Sequence, residues 1–259
     1  MGQSRYERLP KTQNWQNVVA LLASPDASAP LLASATVKSC RVALKQHCDD
    51  PVLVSAVYLL AHLPVAARQG KAAHFLEQAG LDARALSSPM ALIEETSSFL
   101  NQQSFQNASP SFVTEISLRA FQETVQWLVA DSNLDLFADA REQTEQALAN
   151  YGTARGFANA SRQFFTSFMN RALSYFLSKE NVNVVGPNAR FESVDSLQRF
   201  MGDLRRYCWE SSKIIDSFAE EWYSKYKWQQ KLDAPHFATF VWASLRKFAT
   251  EIGREHDEE

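Results

Sequence analysis

The chain has 259 residues, 46% of them hydrophobic and 12% aromatic, with 26 Lys and Arg against 29 Asp and Glu for a net charge of −3. Only 8 residues are glycine, where average usage gives about 18, and this disfavours Rossmann, P-loop and most β-rich folds, whose ligand sites are built from glycine turns. The small negative charge excludes bulk electrostatic attraction to nucleic acid or to an anionic membrane as the main mode of action.

The opening MGQSRYERLP is polar and has no apolar h-region, so no signal peptide is expected, and Tyr6 stands where N-myristoylation wants Ser or Thr. Periodicity predicts helices over 13–23 and 30–48, then over 51–68 with a kink at Pro64. The uncharged run PVLVSAVYLLAHLPVAA in this third helix sits at the bottom edge of the membrane-spanning range and reads as a buried core helix. Further helices are predicted over 71–79, 89–101, 110–129, 135–150, 157–180, 194–227 and 235–254. Asp50-Pro51, Ser88-Pro89, Ser109-Pro110 and Asp233-Ala-Pro235 read as N-caps followed by Pro in the first turn, where its missing N–H costs nothing. Gly80 reads as a C-terminal stop.

The clearest stripe runs through Val194, Leu197, Met201, Leu204, Cys208, Ser211, Ile215, Phe218 and Trp222, at alternating steps of three and four. Its expected partners are Phe165, Phe168, Met169, Ala172 and Phe176 on one helix, and Phe237, Phe240, Val241, Ser244 and Phe248 on the last. Strand signals are confined to stretches such as NVNVV at 181–185. The expected fold is therefore all-α, an irregular multi-helix bundle of about ten helices with a long amphipathic helix near 194–227. It forms either a single domain over 1–259 or an N-terminal subdomain over 1–105 followed by a C-terminal bundle over 106–259.

Tests for chemistry are mostly negative. Asp131, Asn133, Asp135, Asp139 and Glu142 fall at EF-hand ligand positions, but Leu136 stands where the calcium loop needs Gly, so a turn opening an acidic helix is expected instead. Cys40, His47, Cys48, His62 and His74 lack zinc spacing, since Cys40 and Cys48 lie about 12 Å apart on one helix. Cys208 sits on the apolar stripe, where a thiol is normally inert. Glu94-Glu95 and Glu220-Glu221 are adjacent on helices and point about 100° apart. No cofactor or metal is expected, and three cysteines without a leader fit a reducing cytoplasm.

Two segments invite a binding role. In Trp222, Tyr223, Lys225, Tyr226, Lys227, Trp228 and Lys231, rings and ammonium groups interleave, which suits a single-stranded nucleic acid or an anionic peptide. The alternative is that Trp222 and Tyr226 cap the core. Arg190 lies just before the helix that starts after Ser193, where an anion at the helix N-terminus is one reading and a capping loop the other. Tyr6, Trp15, Trp222, Tyr226 and Trp228 are the expected interface aromatics, because they lie in or beside polar segments. Arg205 and Arg206 are candidate additions to a nucleic-acid surface. The charge is also uneven: residues 1–75 hold eight Lys and Arg against four Asp and Glu, the remainder 18 against 25, which either orients a partner or is simply solvated.

Over residues 75–200 the order FLEQAGLDARAL, PMALIEETSSFL, DLFADAREQTEQAL and FFTSFMNRALSYFLSKEN resembles the helical QatB-type proteins encoded beside an ATPase and other enzymes in bacterial anti-phage defence islands. The N-terminus lacks the Gly/Pro-rich opening of that group, and WYSKYKWQQK has no counterpart in it. The resemblance implies a non-enzymatic accessory subunit whose partner is an ATPase or nuclease of the same operon, and it carries over no site residues. A nucleic-acid-binding factor and an enzyme with an unrecognised site are the rival expectations.

Overall fold

The computed structural model describes residues 12–106, 111–130, 139–180 and 184–254. Among these the chain is all-α. In order come α1 (Gln13–Ala23), α2 (Ala29–Gln46), α3 (Pro51–Arg68), α4 (Ala72–Gln78), a 3₁₀ turn (Ala83–Ser87), α5 (Pro89–Gln106), α6 (Phe112–Ala130), α7 (Ala140–Asn150), α8 (Ala154–Leu177), α9 (Val194–Ser211), α10 (Lys213–Trp228) and α11 (Ala234–Arg254). The NVNVV stretch contributes one isolated bridge, Val185 to Phe191.

The helices begin where a side-chain oxygen can satisfy orphan N–H groups. Asp50 Oδ1 accepts from the Val52 and Leu53 N–H at 2.9 and 3.2 Å, and its Oδ2 accepts from the hydroxyls of Ser111 and Thr114 at the start of α6. One carboxylate thus ties two helix starts together. Ser88 caps α5 through the Ala91 N–H, and Asp233 caps α11 through the His236 N–H. Ser109 and Pro110 lie outside the described residues; Ser111 and Thr114 exchange reciprocal side-chain to backbone bonds there instead. Of the calcium-like pattern, residues 131–138 lie outside the described residues, and Asp139 is the N-cap of α7, accepting from the Arg141 N–H.

α3 is the hub, packed against α4, α5, α6, α7, α8 and α11. By length and composition it could cross a membrane, yet 61% of it is buried inside the protein. The turn between α7 and α8 presses onto it at Gly152, where an added Cβ would lie 2.6 Å from the Pro64 carbonyl oxygen. α8 is the second core element, burying Phe157, Phe164, Phe165, Phe168 and Phe176 mainly against α6 and α10, with Phe157 and Phe165 touching Phe240 of α11. The expected facing stripes do meet: the Phe165 and Phe240 rings are 6.0 Å apart, and Phe218 stacks on Phe240 at 5.6 Å. A single apolar cluster runs from Trp15 to Ile252.

The long helix expected over 194–227 is corrected to two, α9 and α10, meeting at Ser212. Ser212 keeps right-handed helical dihedrals, but the hydrogen-bond ladder opens and Arg162 of α8 reaches in. Its guanidinium donates to the freed Trp209 carbonyl at 3.1 Å, to Ser212 Oγ at 3.0 Å and to Asp216 Oδ2 at 3.1 Å. A side chain inserted at a Ser pair is an ordinary cause of such a break.

Candidate functional site

The interleaved segment closes α10. Trp222 and Tyr226, one helical turn apart, stack at 4.7 Å; Trp222 is buried on Phe237 and Phe240, and Tyr226 is half-buried beside His236. These two rings belong to the α10–α11 packing, as the structural alternative had it. Lys225, Lys227 and Lys231 are exposed and Trp228 is 85% exposed. The chain then turns through Gln230, a non-glycine residue at φ +55°, with the Lys231 N–H donating to the Tyr226 carbonyl at 2.9 Å. This 6→1 bond closes the helix end as in a Schellman turn and presents Trp228 outward.

Arg190 is corrected from a prospective anion contact to a clamp on α1. Its guanidinium donates to the carbonyls of Leu21, Leu22 and Ala27, and it lies 4.4 Å over the Phe200 ring. The orphan carbonyls at a helix C-terminus are a ready acceptor for a cation. Ser193 caps α9 in a capping box with Ser196. Trp15, expected at an interface, is instead 5% exposed and edge-on to Phe176. Tyr6 lies outside the described residues.

Arg205 and Arg206 stand apart from the α10 segment, on the rim of a polar cleft of about 610 Å³ between α6, α8 and α9. Arg206 pairs with Asp203, and the carboxylate lining the cleft, Glu123, pairs with Arg171 and accepts from Ser167. Gly202 faces this cleft, and a Cβ there would meet nothing within 4 Å.

A different surface combines an apolar floor with exposed cations. α2 and α11 run antiparallel, with Lys45 over the Trp242 ring at one end and Lys38 beside Gly253 at the other. Between them lies a groove of about 270 Å³ floored by Val37, Leu44, Trp242, Leu245 and Ala249. Lys38, Arg41 and Lys45 line one wall at steps of three and four along α2; Arg246 and Arg254 stand two turns apart on α11. All five cations are exposed, Arg254 pairs with Glu251 of its own helix at 3.7 Å, and among the described residues no carboxylate lines the groove. α2 carries no acidic residue at all. The positive excess of residues 1–75 is therefore partly gathered into one wall. The sequence held the signal in the Lys38, Arg41, Lys45 spacing, but not the pairing of α2 with a helix about 200 residues further on.

His62 is half-buried between Tyr58 and Phe237, and its Nε2 lies 3.1 Å from the Leu232 carbonyl, which only accepts, so Nε2–H donates. Burial lowers its pKa below 6.5, against a smaller opposing effect of that bond. Burial pushes the Cys40 and Cys208 thiols up to about 12. Among the described residues no three His, Cys, Asp or Glu side chains converge as a metal site. No protein-family model, curated protein or solved structure matches the chain.

Proposed function

We propose that the protein is a non-enzymatic helical subunit that binds a protein partner through the groove between α2 and α11. The observation that carries this reading is an apolar floor, partly open to solvent, flanked by exposed cations of both helices, of which Arg254 is paired with Glu251 of its own helix and the others have no carboxylate partner among the described residues. An interior surface of this kind excludes water around central apolar anchors while charges at the rim select and steer the partner. The resemblance of residues 75–200 to QatB-type proteins supports a bacterial antiviral setting, with an ATPase or nuclease of the same operon as the partner. The three free thiols, Cys40, Cys48 and Cys208, fit a cytoplasmic one.

Native mass spectrometry of the protein purified from the cells that encode it tests the reading. A stoichiometric protein partner is expected; a sharply monomeric mass, with nothing recovered in a pull-down, overturns it.

A second reading has its own observation: Trp228 is 85% exposed beside Lys225, Lys227 and Lys231, none of which is ion-paired among the described residues. Bases stack on such a ring while ammonium groups neutralise phosphate. This reading predicts salt-sensitive binding to single-stranded DNA or RNA that is abolished in Lys225→Glu/Lys227→Glu. No gel shift at low salt removes it.

A further inference from the structure

Resting on the interaction reading, we infer that the groove between α2 and α11 takes one amphipathic α-helix of about three turns with acidic flanks. The groove's dimensions set the length. From Trp242 to Arg254 is twelve residue steps, about 18 Å of helix axis at 1.5 Å per residue, so a straight segment of about twelve residues fills it. An extended strand has no use for this surface, because both walls are helices whose backbone groups are consumed internally, leaving no edge for β-addition.

The wall chemistry sets the charge. Among the described residues Lys38 and Arg41 on α2 and Arg246 on α11 have no ion-pair partner, Lys45 lies over the Trp242 ring, and Arg254 is paired with Glu251. An occupant bringing carboxylates to both sides neutralises the α2 row and Arg246, whereas a basic or neutral helix leaves like charges facing or unpaired ones desolvated. The floor sets the third face. Leu44, Trp242 and Ala249 remain half-buried and offer contact to apolar side chains three and four residues apart, the spacing at which one face of a helix presents them. Near the far end Gly253 has no side chain, and an added Cβ would already touch Lys38 Cε at 3.7 Å, so the two helices approach closely there.

The test is selection from a random 16-residue peptide display library on the full-length protein, followed by anisotropy with the enriched peptides. Enriched sequences are expected to combine Asp or Glu with apolar residues at i, i+3 or i+4, and i+7. They should gain helical circular dichroism on binding and lose at least tenfold in affinity against Arg41→Glu/Arg246→Glu. Both substituted positions are exposed, so the variant's unchanged melting curve controls for folding. The neutral pair Arg41→Gln/Arg246→Gln should fall between the two.

Enriched peptides without acidic bias, binding indifferent to the double reversal, or no enrichment above background would overturn the inference. So would poly-glutamate competing as well as the selected peptides, since that makes the apolar floor irrelevant. A groove that pairs two copies of this chain would appear as a dimer in sedimentation that Arg41→Glu/Arg246→Glu dissolves, and would equally overturn it. A stoichiometric partner retained by the double reversal removes the groove as its site and this inference with it, whereas a partner lost on the double reversal while the enriched peptides lack acidic or helical character removes only this inference.

Discussion

Arg162 and Asp216 are joined across α8 and α10 at 3.1 Å, with both side chains only 15% exposed. The pair sits where α9 gives way to α10, so the guanidinium both neutralises Asp216 and accepts the role of capping the Trp209 carbonyl. Breaking a half-buried pair by removing one partner leaves the other charge poorly compensated. Arg162→Ala is therefore expected to cost about 1–3 kcal/mol in urea unfolding. Arg155, 3.6 Å from Asp216, is 58% exposed and a weak substitute. A double-mutant cycle with Asp216→Ala should recover part of the loss; full additivity would show that the pair is not coupled.

Two glycines should respond to alanine with opposite signs. At Gly152 the new Cβ meets the Pro64 carbonyl oxygen at 2.6 Å and Arg68 Cβ at 2.8 Å, so α3 and the α7–α8 turn must part, at about 1–3 kcal/mol. At Gly202, inside α9 with open space around it, alanine restores helix propensity and should stabilise by about 0.5–1 kcal/mol. Thermal melts of the two variants side by side check both signs.

The pH dependence follows from His62. Burial holds its folded-state pKa below the unfolded value of 6.5, so the folded protein binds fewer protons than the unfolded chain. Its contribution to stability is complete above 6.5 and is lost as pH falls through the folded-state value. The urea midpoint should therefore decline on going from about pH 7.5 to pH 5, and His62→Asn should flatten that decline. An unchanged slope in the variant would assign the effect elsewhere.

Thiol labelling gives a third readout. Cys40 and Cys208 are buried and their thiols stand near 12, whereas Cys48 is half-buried with a smaller rise caused first by burial and then by Asp49. Reactivity follows the thiolate. One cysteine per chain should label within minutes at pH 8 in the native state, and all three in denaturant.

The helical fold was legible because each helix carries its own signals. Asp50, Ser88, Ser193 and Asp233 announce starts that the structure uses, and Gly80 stops α4 at φ +83°. The break at Ser212 was not legible, because the apolar stripe continues through a residue that stays helical in its dihedrals while a distant arginine opens the ladder. Trp15 misled because Gln13, Asn14, Gln16 and Asn17 surround it, although its spacing to the buried Val18 and Leu22 already placed it on the inner face of α1. For Arg190 the sequence offered an anion contact or a capping loop before α9; Ser193 does cap α9, and what Arg190 itself serves is the C-terminus of α1, about 165 residues earlier in the chain. The groove exists only because α2 lies beside α11, a long-range pairing that no local pattern encodes.

The most direct measurement of the central claim compares native mass spectra of the wild-type protein and of Arg41→Glu/Arg246→Glu, each purified from the cells that encode the protein. The account predicts a stoichiometric protein partner on the wild type and a free chain of unchanged melting temperature for the variant. A wild-type chain without a partner, or a partner retained in full by the variant, would contradict it.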